Sequence, residues 1–150
     1  MKRWISILLI SALLAACCGC HATSYEDTNG SDDFSLQTLT EEDILHSSGS
    51  TRIMSSTVTL NSQTTCKVKT MSGVVELYSR RMDGGYFGIT VSSQVTKGNA
   101  RLVLIVNDEI VHEFDLNRED QYFALGNVSG KVSLKIAGES TGYNITFTVD

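Results

Sequence analysis

A handful of positions in this 150-residue chain combine residue types at a spacing that could do chemistry. Gly138-Glu139-Ser140-Thr141-Gly142 has the G-x-S-x-G spacing of a serine nucleophile held on a sharp strand-to-helix turn. That arrangement needs a helix after the serine and a histidine further along to take its proton. A strand-like run follows instead, and no histidine lies between Thr141 and Asp150, so the pattern reads as a β-turn. Asp108, Glu109, His112, Glu113 and Asp115 crowd ionisable groups into one stretch. Strand alternation puts Glu109, Glu113 and Asp115 on one face, and His112 on the other with Ile110 and Phe114. Such a carboxylate face suits weak Ca²⁺ binding, but its plainer reading is a solvated strand face with a half-buried histidine behind it. Asp27-Thr28-Asn29-Gly30-Ser31-Asp32 has its glycine at the fourth position of a calcium loop and no glutamate at the twelfth, so it reads as an acidic spacer. Gly84-Gly85 precedes a strand-like run and turns a hairpin; it is no phosphate cradle. No catalytic residue, metal site or cofactor is expected. His21 and His46 stand alone.

Tyr78, Tyr86 and Tyr122 remain. By alternation each falls on the polar face of its strand, where a ring on a β-sandwich can stack on a sugar. They are the candidate ligand-binding residues. Against this stands the common use of tyrosine as an amphipathic cover for rims and loops.

The elements that must position these residues are strands. From Arg52 onward, short alternating runs are separated by turn residues. They cover residues 54–60, 66–69, 74–79, 86–91, 101–106, 109–115, 121–125, 131–136 and 143–149. Turns are expected at Asn61-Ser62, Ser72-Gly73, Asp83 to Gly85, Lys97-Gly98-Asn99, Asn107-Asp108, Asn117 to Asp120, Asn127 to Gly130 and Gly138 to Gly142. About nine strands at this spacing signify an all-β fold, a single small β-sandwich of jelly-roll or Ig-like form. Leu102 to Val106 is apolar on both faces and should be central. Val132, Leu134 and Ile136 should point inward, leaving Lys131 and Lys135 in water.

The N-terminal third reads differently. Lys2 and Arg3 open a charged start, and residues 4–16 are apolar or small. At 1.5 Å rise per residue this run is too short for about 30 Å of hydrocarbon, which favours a cleaved export signal over a membrane span. It ends on Leu14-Ala15-Ala16-Cys17, which resembles the lipobox of bacterial lipoproteins. The resemblance implies cleavage before Cys17 and a diacylglyceryl group on its sulfur. Two acyl chains, at about 0.8 kcal/mol per buried methylene, hold a protein on a bilayer where one does not. In general form the chain is similar to small lipoproteins of Gram-positive bacteria.

Residues 1–16 are therefore read as a signal peptide, 17–51 as a lipid-anchored acidic flexible tether, and 52–150 as the β-sandwich domain. Removing Lys2 and Arg3 leaves ten basic residues against 17 acidic ones. Seven of those acids precede Arg52, so the domain itself is balanced at ten and ten. It carries no electrostatic footprint for nucleic acid. Ser, Thr, Asp, Glu and Gly dominate the tether, apart from Thr40-Glu41-Glu42-Asp43 before Ile44-Leu45, a helix N-cap with an acidic first turn. Of four cysteines, Cys17, Cys18 and Cys20 crowd the cleavage region. Cys66 alone is in the domain, and reads as a small buried residue, with a bridge to Cys18 or Cys20 as the alternative.

The expected function is a non-catalytic binding or interaction domain held at the extracytoplasmic face of the cell membrane through Cys17. Its ligand is a protein or a glycan. The alternative is a carbohydrate-binding module for cell-wall or environmental glycans, using the tyrosines. A hydrolase acting through Ser140 and a purely structural envelope role are the remaining readings.

Overall fold

The computed structural model describes residues 39–47 and 49–150. The expected signal peptide, the expected lipid-attachment residue Cys17, and Cys18, Cys20, His21 and the acidic stretch Asp27 to Asp32 lie outside the described residues. A helix, α1 (Glu41–His46), leads into six strands: β1 (Ser50–Leu60), β2 (Gln63–Asp83), β3 (Phe87–Val106), β4 (Glu109–Phe114), β5 (Gln121–Leu125) and β6 (Ser129–Val149). All pairings are antiparallel, in the order β1-β2-β6-β3-β4, with β5 also on β3.

Two hairpins form where expected. Asn61 and Ser62 join β1 to β2 with φ of 48° and 67°, and Asn107 and Asp108 join β3 to β4 with φ of 49° and 62°. Two left-handed central residues give a turn whose twist matches the strands it connects.

Six strands stand where about nine were expected, because β2, β3 and β6 hold 21, 20 and 21 residues and pass straight through three supposed turns. At residues 72–73, 97–99 and 138–142 the chain bends without reversing. The ladder shifts register there, and the bends align across it: Gly73 pairs with Gly138, and Asn99 with Glu139. Bulges and glycines let strands turn such a corner and continue into a second layer. Gly73 takes φ +107°, and a Cβ on Gly138 would lie 2.7 Å from the Asn99 carbonyl oxygen. Fully buried Thr141 ties the corner by donating its hydroxyl to that carbonyl.

The crease folds the ladder into a sandwich. The first layer holds β1, β5, the first halves of β2 and β3 and the last half of β6; the second holds the other halves and β4. Their inner faces share one core. Cys66, Ile89, Val91, Ile145 and Phe147 of the first layer pack in it with Val75, Leu102, Leu104, Val132, Leu134 and Ile136 of the second. His112 of β4 stacks on Phe123 of β5 with ring centroids 4.1 Å apart, and Phe114 meets the same imidazole edge-on.

The outer faces differ. Val74, Val103, Ile105 and Ala137 turn away from the main core and meet Ile44 of α1, which is fully buried. This explains the two-sided apolarity of residues 102–106. It also corrects the expectation for Lys135, which is 7% exposed and not in water. Its Nζ donates to the carbonyls of Ile44 at 3.0 Å and Leu45 at 2.8 Å, the last turn of α1. The other end of α1 starts at the expected N-cap, Thr40, and is closed by a capping box in which Thr40 and Asp43 bond each other's backbone N–H. A stretch assigned to the tether thus packs on the sandwich.

Candidate functional site

Where the structure places the three tyrosines depends on β-bulges. Glu76 pairs with Lys135, but Tyr78 pairs with Leu134, so β2 has taken two steps to one on β6. An extra residue reverses every side chain beyond it. Tyr78 is therefore not on the polar face; its ring lies inward, 6.3 Å from that of Phe87 and 6.1 Å from that of Phe147. It leaves the set of candidate surface rings.

A second bulge dismantles the carboxylate face. Ile105 pairs with Ile110, and Leu104 with His112, which leaves Val111 as the extra residue. Glu113, opposite Val103, lies on the outer face, while Glu109, opposite Val106, lies on the inner side. Ile110 accordingly packs with Ile105 and not beside Phe114. Glu113 is engaged by Arg101 through two hydrogen bonds of 3.0 and 2.7 Å, which hold its carboxyl below the usual range. Asp115 pairs with Arg118 at 2.6 Å. No group of three or more metal-ligating side chains occurs among the described residues.

Ser140 sits exposed on the crease at φ 48°, its N–H donating to the Ser72 hydroxyl at 2.9 Å. Strand β6 continues on both sides of it, so the strand-to-helix turn of a nucleophile elbow is missing. Cys66 is a buried thiol, unbridged among the described residues; burial pushes its pKa up, against a hydrogen bond from Thr57.

Tyr86 and Tyr122 do come together. Tyr122 is on β5 opposite Thr90, and Tyr86 immediately precedes β3. Each is 56% exposed, and their hydroxyls are hydrogen-bonded to one another. That bond, with lesser contributions from desolvation and from the charge on Asp150, pushes the Tyr122 hydroxyl up to about 12. Beneath them lies Gly88, where an added Cβ would be 3.0 Å from the Tyr122 hydroxyl and 3.1 Å from the Tyr86 ring. Gly88 thus leaves room for both tyrosine side chains on the outer sheet face.

That face continues along the first layer. Thr90 pairs with Thr148, Ser92 with Thr146, and Thr65 with Thr146 on the other side, the last pair with hydroxyls 3.1 Å apart. Nearest the crease, Asn144 stands between Lys67 and Gln94. A groove of about 610 Å³ opens there, lined by Met54, Lys67, Lys69, Thr96, Tyr143 and Asn144 among others. Asn144 Oδ1 is buried and meets no donor among the described residues. Burial also pushes the Tyr143 hydroxyl up to about 12. The sequence reading passed over this strip, although Asn144, Thr146 and Thr148 alternate with Ile145 and Phe147 and so announce a polar face.

No family model matches the chain, and no curated protein matches it. Among solved structures it is similar to the CBM36-1 domain of a multidomain xylanase from the hindgut metagenome of Trinervitermes trinervoides. That likeness has 12% identity and a TM-score of 0.38, and covers 69% of this chain and 90% of the other. A carbohydrate-binding module CBM36 in complex with calcium and xylotriose gives 13% identity and a TM-score of 0.34, with 69% and 88% covered.

Proposed function

We propose that this chain is a lipid-anchored protein of the extracytoplasmic membrane face whose β-sandwich binds a glycan without chemical turnover. The observation that carries the binding reading is the tyrosine pair. Tyr86 and Tyr122 hold two exposed rings together over a glycine, flanked by hydroxyl-bearing Thr90 and Thr148. An exposed aromatic ring offers a flat apolar surface to the C–H face of a sugar, while hydroxyl side chains match its rim. The mutual hydrogen bond restrains both rings before a ligand arrives, which lowers the ordering cost of binding.

The anchor rests on the lipobox resemblance at Leu14-Ala15-Ala16-Cys17 after a short apolar run. Two measurements test the proposal. On a glycan array, wild-type protein should retain at least one glycan class, and Tyr122→Ala and Tyr86→Ala should each weaken it by roughly tenfold, about 1.4 kcal/mol. Retention of nothing by the wild type removes the glycan reading. In detergent-phase partitioning the native protein should enter the detergent and Cys17→Ser should stay in the aqueous phase; an aqueous native protein removes the anchor.

A further inference from the structure

The tyrosine pair occupies one end of the open face, and the other end is cationic. Lys67 and Lys69 are exposed on β2 at the groove, and Lys97 on β3 pairs with Gly142 next to its floor. Arg52 is close enough for its charge to act on Tyr143, which lines the same groove. None of these four cations takes part in an ion pair among the described residues, whereas Arg101, Arg118 and Lys131 all do. Of the acids on this face, Asp150 lies beside the tyrosines at the far end, and Asp120, bonded to Ser92, lies midway along the strip. Between the ends run hydroxyl and amide side chains. Thr148 and Asn144 are four steps apart on β6, about 13 Å at roughly 3.3 Å per residue, so a ligand touching both ends is an extended chain.

We propose that the glycan is acidic: it stacks on Tyr86 and Tyr122 and runs across the threonines, so that its carboxylates meet Lys67 and Lys69. This rests on the reading of the tyrosine pair as a sugar platform. A neutral glycan would satisfy the rings and hydroxyls but leave the lysines without counter-charge. A polyanion without sugar rings would satisfy the lysines alone. Asn144, half-buried at the groove, has an Oδ1 that accepts no hydrogen bond among the described residues.

The experiment compares polygalacturonate with the same polymer after carboxyl reduction, and with polyglutamate, on the full-length protein at low and high salt. Wild type should bind polygalacturonate about tenfold more tightly than the reduced polymer, with a preference that shrinks as salt rises. Lys67→Glu with Lys69→Glu should abolish the preference, read as the ratio of the affinities for the two polymers. The milder Lys67→Gln with Lys69→Gln should move it in the same direction, which separates lost charge from lost folding. Tyr122→Ala should weaken both polymers alike. Equal binding of the two polymers, or a preference that survives in the lysine variants, overturns the acidic assignment and leaves the platform standing. Polyglutamate binding as tight as polygalacturonate also overturns it, since charge alone would then suffice. Binding of neither polymer removes this inference, and loss of all glycan retention on the array removes the platform as well.

Discussion

The two layers share a core but treat their outer faces in opposite ways. The second layer turns Val74, Val103, Ile105 and Ala137 outward and covers them with α1. The first turns Thr65, Thr90, Thr146 and Thr148 outward and leaves them open, with tyrosines at one end and lysines at the other. Both faces belong to the same three long strands, so the difference comes from the side chains alternating with the core. An apolar outer face must be covered to leave water, and a helix supplies one apolar side at little cost in chain length. A hydroxylic outer face gains nothing from a cover. It is the face free to meet something else.

The sharpest way to break this contrast is to weaken the cover. Ile44 is the one fully buried residue of α1, and Ile44→Ala is expected to cost about 2–4 kcal/mol in urea unfolding. Thr146→Val on the open face should change stability by less than about 0.5 kcal/mol. A loss below about 1 kcal/mol for Ile44→Ala would make α1 a loose flap and erase the distinction between the faces.

Much of the fold was legible in the sequence; the contrast between its faces was not, because what covers a face and what lies across a ladder are long-range facts. The all-β class, the two hairpins and the capped helix follow from local rules: alternation, Asn-Ser and Asn-Asp turns, and Thr40 with Asp43. Nine strands became six because a glycine-bearing break in alternation marks a corner as readily as a reversal. Sequence cannot say which, since the choice depends on what lies across the ladder. Tyr78 and Glu109 were misplaced by bulges at residue 77 and at Val111, each a single extra residue whose effect runs down the whole strand. Tyr86 and Tyr122 stayed on the surface because no bulge intervenes between β3 and β5. Their meeting across 36 residues of chain is a fact of pairing that alternation does not carry.

Lys135 gives the next largest test of the covered face. It occupies an outward position beside Val103, where alternation allows a lysine, yet α1 closes over it. Burial pulls its pKa down, while its Nζ supplies donors to carbonyls that the last turn of a helix leaves unpaired. Lys135→Met keeps the apolar stem and removes those donors, so it should cost about 1–3 kcal/mol at neutral pH. The sign of its pH dependence is fixed. The unfolded lysine holds its proton to higher pH than the folded one, so wild-type stability gains from this residue as pH rises through the folded pKa toward 10.5. The methionine variant should lack that gain, read as a widening difference in urea midpoint between neutral pH and about pH 10.

The smallest expected effect lies at the entry of α1. Thr40 accepts from the Asp43 N–H at 3.2 Å, and the Asp43 carboxylate accepts from the Thr40 N–H at 2.9 Å. The hydroxyl of Thr40 also bonds that carboxylate, and these bonds hold the Asp43 pKa down. A lowered carboxyl pKa contributes stability above the unfolded value near 3.8, and loses it as pH falls through the folded value. Thr40→Ala should cost about 1 kcal/mol at neutral pH. The difference between variant and wild type should narrow in acid below about pH 4, where protonated Asp43 no longer rewards the cap. Glycan retention by this variant should equal that of wild type, because the cap serves the covered face and the ligand meets the other. Weakened retention in Thr40→Ala, at a pH where the variant is folded, would mean that the two faces are coupled through the shared strands, and that α1 helps to shape the open face as well as to cover its own.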